Sequence, residues 1–191
     1  MKCQADDAMT AQGYTLFDTP IGRCGIAWNE RGIVGVQLPK VNVDATQARL
    51  MRSFPALNAA LPSAEAQRAI AGIVALLHGA SDDLTDVRLD MAQVPPFHRR
   101  VYEIARGIAP GTTLTYGELA VRLGQPGAAR AVGQALGQNP FVIIVPCHRV
   151  LAAGGRIGGF SADGGVMTKR HLLRIEGALG SETPDLFSDI D

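Results

Sequence analysis

The sequence predicts a small α/β N-terminal domain, an antiparallel sheet with helices over residues 1–92, followed by a mostly α C-terminal domain over residues 93–191 built on a helix-turn-helix. Three observations lead there. Tyr14 to Leu38 alternates short apolar stretches with Gly22, Gly25, Gly32 and Gly35, the pattern of strands joined by tight turns. Pro95-Pro96 punctuates the middle of the chain. Beyond it, two short helical segments flank Gly124-Gln125-Pro126-Gly127, as in a helix-turn-helix.

Taken in order, Asn29-Glu30-Arg31-Gly32 reads as the turn between two strands. Asp44 is placed to cap a helix running to about Phe54, and Ser63 to cap another from Ala64 to Leu77 that ends at Gly79. His78, at that helix end, suits the negative pole of the helix dipole. Val87 to Met91 is expected as a further strand. Phe97, Val101, Ile104 and Ala105 give helical spacing from Phe97 to Ile108, after which Pro110-Gly111 interrupts. Thr115-Tyr116-Gly117-Glu118 matches a capping box that opens a helix to about Leu123. Ala128 to Leu136 supplies the second helix of the pair, although any αα-hairpin gives the same pattern. Phe141 to Val145 is an apolar run that reads as a buried strand.

With 191 residues, 47% of them hydrophobic, the chain can bury a substantial core. It holds no apolar run of about 18 residues, and Met1 to Asp7 lacks the apolar centre of a secretory signal, so a cytoplasmic protein without a membrane partner is expected. Cys3, Cys24 and Cys147 are odd in number and far apart, which argues for free thiols in a reducing compartment. A zinc site would need Cys3, Cys24 and His78 to converge from remote segments without a close-spaced pair, so no metal is expected. The net charge of zero is unevenly divided. From Pro95 to Ala178 ten basic residues, nine of them arginine, stand against four acidic ones, a surplus of six that a phosphate-facing surface requires.

The chemistry concentrates at Pro146-Cys147-His148-Arg149-Val150. A thiol beside an imidazole can lose its proton and become a nucleophile. An isolated pair of this kind is more often a buried structural cysteine with an incidental histidine. Here it stands among Ala128-Ala129-Arg130-Ala131-Val132-Gly133, Asn139-Pro140, Gly158-Gly159-Phe160-Ser161 and Leu172-Leu173-Arg174-Ile175-Glu176-Gly177. With these motifs in this order and spacing, the chain resembles the O6-alkylguanine-DNA alkyltransferases, densely from about Pro95 to Gly177.

The resemblance implies a helix-turn-helix of winged-helix type and irreversible, single-turnover transfer of a methyl or other alkyl group from O6 of guanine in DNA to Cys147. O4-alkylthymine is left open as a second substrate. His148 is the expected base, acting through a bridging water or across a local turn because neighbours on a strand face opposite ways. Glu176 orients the imidazole, Asn139 holds the backbone around the cysteine, and Tyr116 donates a proton to the departing guanine. Ser161, Val150, Gly158 and Phe160 are expected around the substrate. Phe160 stands where the family commonly has tyrosine, and the usual Ser-Gly-Gly is stretched to Ser161-Ala162-Asp163-Gly164-Gly165.

The second helix offers Ala128, Ala129, Ala131, Gly133 and Ala135 where a reader of the major groove would carry long hydrogen-bonding side chains. Small residues suit close, sequence-tolerant contact with the minor groove of double-stranded DNA. The resemblance makes Arg130 the side chain that fills the stack when the alkylated guanine is flipped out, and Tyr116 a second DNA contact. No cofactor is implied, since the substrate carries its own activated group, and a monomer is expected. A cysteine hydrolase with a Cys/His/Glu centre is the main rival. It would turn over and need no DNA. A lesion-binding relative would lack Cys147, and a fused regulator would need a cysteine-rich metal domain.

Overall fold

The computed structural model describes residues 12–179, so Cys3 lies outside the described residues. Three antiparallel strands, β1 (Gly13–Thr19), β2 (Gly22–Asn29) and β3 (Gly32–Gln37), form a sheet in sequence order. The central strand is buried on both faces from Cys24 to Trp28. Ile26 and Trp28 join the main core, whereas Ala27 packs in a smaller cluster with Tyr14 and Leu50. Alternate side chains thus feed two layers. Helix α1 (Val43–Ser53) covers one and α2 (Ala64–Leu77) the other.

Local chemistry explains the boundaries. Asn42, two residues before the Asp44 that the sequence points to, caps α1 by accepting from the Ala45 amide at 2.8 Å, while Asp44 sits in the first turn against the positive end of the dipole. Ser63 caps α2 as expected, and His78 ends it with Nδ1 at 2.8 Å from the Val74 carbonyl. The Asn29–Gly32 turn is closed by the Asn29 side chain, which accepts from Arg31 N, and by Arg31 and Asn29 both donating to Asp90.

Val87 to Met91 does not form the expected strand. It makes one bridge, Leu89 to Ile33, while the carbonyls of Leu84, Thr85 and Val87 are taken up by the Arg106 guanidinium at 2.8–3.0 Å. At the bridge Arg88 O accepts from Ile33 N and Asp90 N donates to Ile33 O, while the Arg106 side chain has captured the Val87 acceptor beside it.

Helix α3 (Pro96–Arg106) begins with proline in its first turn. Strand β4 (Leu114–Thr115) leads into α4 (Tyr116–Arg122), whose capping box is complete: Thr115 Oγ1 accepts from Glu118 N, and Glu118 accepts from Thr115 N. Helix α5 (Ala129–Gly137) packs on α3 and α4, and Tyr102 of α3 donates to the Ala135 carbonyl at 2.9 Å. Strand β5 (Val150–Leu151) pairs in parallel with β4. A sixth helix, α6 (Val166–Ile175), was not anticipated; it buries Lys169, Leu172 and Leu173. One continuous cluster of buried side chains runs from the sheet to α6. No helix among the described residues is long and apolar enough to cross a membrane.

At Gly32, φ is +141°, and a β-carbon would lie 2.5 Å from the Arg88 carbonyl oxygen. Gly124 also has positive φ, +71°, but nothing lies within 4 Å of the added carbon. Gly32→Ala is expected to cost about 2–3 kcal/mol, and Gly124→Ala about 1 kcal/mol. Urea unfolding of the two variants checks the difference, and equal losses would show that the approach of Arg88 carries no weight.

Candidate active site

The apolar run Phe141–Val145 is buried but is not a strand. Val145 N donates back to Phe141 O at 2.7 Å, and Ile143 takes φ +77°, so the run closes on itself as a tight loop. Asn139 holds it from within. Its Nδ2 donates to Val145 O and its Oδ1 accepts from Phe141 N, both at 2.9 Å. Burial rather than extension selected those apolar residues. The loop also docks on the sheet edge, where Val36 N donates to Pro140 O at 2.8 Å.

The chain then enters a single 3-10 turn, Cys147–Arg149. The turn, rather than the expected strand end, sets the positions of Cys147 and His148: Cys147 faces a cavity, and His148 turns inward to Glu176. Cys147 is 6% exposed and His148 fully buried. His148 Nε2 lies 2.8 Å from Glu176 Oε1 at the end of α6. Arg149, which composition assigns to a phosphate-facing surface, is 1% exposed. It donates to Glu176 through Nε and Nη2, each at 2.8 Å, and through Nη1 to the Ile108 carbonyl. Lys169 is likewise fully buried; its Nζ donates to Val150 O at 2.6 Å and lies 5.7 Å from the centre of the Tyr116 ring.

These contacts fix the protonation pattern. Burial alone would raise the Glu176 carboxyl, but hydrogen bonds from His148 and Arg149 overcome it and hold the group at about 2. An ionised carboxylate only accepts, so His148 Nε2 carries a proton. Burial pushes the imidazole down from its ordinary value, against the pull of Glu176. The ring is therefore neutral, and its lone pair is on Nδ1, a buried atom with no hydrogen-bond partner among the described residues. Burial pushes the Cys147 thiol up, opposed by the Asn139 side chain, the Lys169 charge and the backbone amides of Cys147 and His148. Burial, with Cys147 nearby, also raises Tyr116.

Cys147 opens onto a cavity of about 410 Å³. Tyr116, Ala129, Arg130, Gly133, Phe160 and Ser161 line it, as does Gly159. The Tyr116 ring lies between α5 and the loop before Phe160: a β-carbon at Gly133 would be 3.8 Å from it, and one at Gly158 3.4 Å. His148, Glu176 and Asn139 stand behind the cysteine rather than in the cavity wall. Val150, Ala128 and Ala131 do not line it; Val150 is wholly buried. Missed by sequence reasoning were Arg149 and Lys169 as interior cations. The available signal was their position: Arg149 adjoins the Cys-His pair, and Lys169 shares the buried face of α6 with Leu172 and Leu173.

Fold and site together define a protein with a buried thiol nucleophile, backed by a histidine and a carboxylate, beside a pair of short helices. A family model described as "6-O-methylguanine DNA methyltransferase, DNA binding domain" matches residues 96–178. The methylated-DNA–protein-cysteine methyltransferase of Mycolicibacterium paratuberculosis is 38% identical over 167 residues, 85% of this chain and 91% of that protein. The protein of the same name from Salmonella typhimurium is 52% identical over 84 residues, 44% of this chain and about half, 48%, of that one. Among solved structures, Mycobacterium tuberculosis OGT in complex with DNA superposes with a TM-score of 0.68 at 33% identity, covering 87% of this chain and 93% of that one. The O6-methylguanine-DNA methyltransferase of Pyrococcus kodakaraensis gives 0.64 at 27% identity, covering 87% and 99%. The chain belongs to the methylated-DNA–protein-cysteine methyltransferase family.

Glu176→Gln leaves the buried Arg149 cation without its counter-ion and is expected to cost about 3–5 kcal/mol. In the unaltered protein the folded-state value of about 2 lies below the ordinary 4.5. Protonation therefore favours the unfolded chain: the stabilisation is complete above the ordinary value and is lost as pH falls toward 2. Urea unfolding across that window should show a decline that Glu176→Gln flattens. An equally steep decline in the variant would assign the acid sensitivity elsewhere.

Proposed function

We propose that this protein repairs duplex DNA by moving a methyl or larger alkyl group from O6 of guanine to Sγ of Cys147, once per molecule. The observation that carries the reading is a buried cysteine opening on a cavity while a neutral histidine, held on a buried carboxylate, stands behind it. His148 Nδ1 takes the thiol proton through one bridging water, a relay supported by the burial of that nitrogen without a protein partner. The thiolate attacks the alkyl carbon. An S–C bond forms, the C–O6 bond breaks, and the departing guanine takes a proton from Tyr116, which the imidazolium then replaces. Ser161 donates toward O6 and Phe160 walls the base, while Gly158, outside the cavity lining, stands against the Tyr116 ring and Val150 holds Lys169 through its carbonyl. Asn139 keeps the loop closed behind Sγ. The thioether product has no leaving group under mild conditions, so the protein is consumed.

In this reading residues 93–191 carry the winged-helix DNA-binding and transfer domain, and 1–92 the N-terminal α/β domain whose sheet shares its core. Ala128, Ala129, Ala131 and Gly133 let α5 approach the minor groove, and Arg130, exposed at the cavity rim, fills the space left by the flipped base. The protein acts as a monomer. A cysteine hydrolase would use the same three groups but would turn over, and nothing in its task requires a helix pair at the mouth of the pocket.

Incubation with a duplex carrying labelled O6-methylguanine is expected to place label on Cys147 in one-to-one yield, and Cys147→Ser to abolish transfer with DNA affinity nearly unchanged. Peptide mass analysis and gel shift read the two results; repeated turnover would instead favour the hydrolase. Arg130→Ala is expected to slow repair in duplex DNA at least tenfold more than reaction with the free O6-alkylguanine base, since unstacking costs a few kcal/mol. Equal losses on both substrates would reduce Arg130 to a phosphate or packing contact.

A further inference from the structure

Four exposed arginines of the sheet-bearing half have carboxylate partners, Arg23 with Asp18, Arg31 with Asp90, Arg68 with Glu65 and Arg88 with Glu65, whereas Arg49 and Arg52 on α1 pair with none among the described residues. Arg156, Arg170 and Arg174 are arranged otherwise. They are exposed along a single groove of about 500 Å³, and none of them pairs with a carboxylate among the described residues. Arg170 and Arg174 are four apart on α6 and so share a face, where like charges repel unless an anion lies between them. Arg156 reaches the same groove from the loop that leaves β5, a loop closed by Ala152 N donating to Arg156 O at 2.8 Å.

The groove's place beside the cavity identifies the anion. The Tyr116 ring lies between Gly133 on α5 and Gly158, two residues beyond Arg156. The cavity mouth is thus flanked by α5 with Arg130 on one side and by the Arg156 loop on the other. A duplex lying across the mouth presents two backbones, and α5 meets only one. We propose that Arg156, Arg170 and Arg174 bind phosphates of the duplex backbone on the side of the mouth away from α5. Three guanidinium groups match phosphate oxygens through paired N–H donors, a geometry that a diffuse positive surface lacks. This inference rests on the DNA-binding reading above and extends its footprint to α6.

The test is the salt dependence of binding to a labelled, undamaged duplex, followed by fluorescence anisotropy on the full chain. Each phosphate neutralised contributes about 0.9 to the slope of log affinity against log salt. Arg156→Ala, Arg170→Ala and Arg174→Ala combined should lower the slope by about 2–3 and weaken binding at least tenfold at low salt. The corresponding lysine substitutions should keep the slope, because they keep the charge. Arg23→Ala, Arg68→Ala and Arg88→Ala combined should leave it unchanged. A slope unaffected by the first triple substitution, in a protein whose melting midpoint shows it folded, overturns the proposal.

One rival occupant lies in the chain itself, the acidic stretch with Glu182, Asp185, Asp189 and Asp191. Neutralising all four as Gln or Asn is expected not to tighten DNA binding. Tightening that disappears in the arginine-to-alanine background would give the groove to that stretch and overturn the proposal. Failure of the unaltered protein to bind duplex DNA would instead sink the DNA reading itself, and this inference with it.

Discussion

The Glu176 carboxylate is the tie on which the site depends. It sits where α6 ends, at the negative pole of the helix dipole, an unfavourable place for an anion. Donation from His148 and from the Nε–Nη2 edge of Arg149 makes it tenable. In return it joins three elements. Arg149 reaches on to the Ile108 carbonyl just beyond α3, so the end of α3, the cysteine turn and the end of α6 meet through one ion. The orientation of His148 is a by-product of that structural tie, and so is its tautomer. Positioning and acid–base state therefore share a single cause.

The interior charges extend the point. Arg149 and Lys169 are buried cations and Glu176 is a buried anion. With Cys147 as a thiol the set carries an excess positive charge; as a thiolate it is neutral. Buried charges are tolerated when paired and hydrogen-bonded. The ion required for nucleophilic attack is thus the one that completes the local balance, and Lys169, over the Tyr116 ring, stands within electrostatic range of it.

Much of this was legible in the chain, for identifiable reasons. Caps are local, so Ser63 and the Thr115–Glu118 box could be read from a few residues. The Cys147–His148 pair and its companions Asn139, Glu176, Tyr116 and Ser161 were marked by residue type and order. What depends on the third dimension was not. Phe141 to Val145 looked like a strand because burial and extension leave the same apolar signature; the Val145–Phe141 hydrogen bond, the positive φ of Ile143 and the two Asn139 hydrogen bonds distinguish them. Arg149 and Lys169 were counted as surface charge because composition cannot tell an interior guanidinium from an exposed one. Val87 to Met91 had strand chemistry, but its pairing stops at one bridge and Arg106 takes the Val87 acceptor. Asn42 displaced Asp44 as a cap because both residues are good at it.

The docking of the cysteine loop on the sheet edge bears on how the molecule comes into being. The Val36–Pro140 hydrogen bond joins residues about a hundred positions apart, and Glu176 follows His148 by a further stretch of chain. Contacts so distant in sequence form late, because loop closure must precede them. During synthesis the sheet emerges well before α6. Until α6 docks, the growing polypeptide carries Cys147 as an ordinary thiol beside an unoriented imidazole. The arrangement around Cys147 is thus completed only when α6 docks, and until then the sulfur lacks the neighbours that set its chemistry.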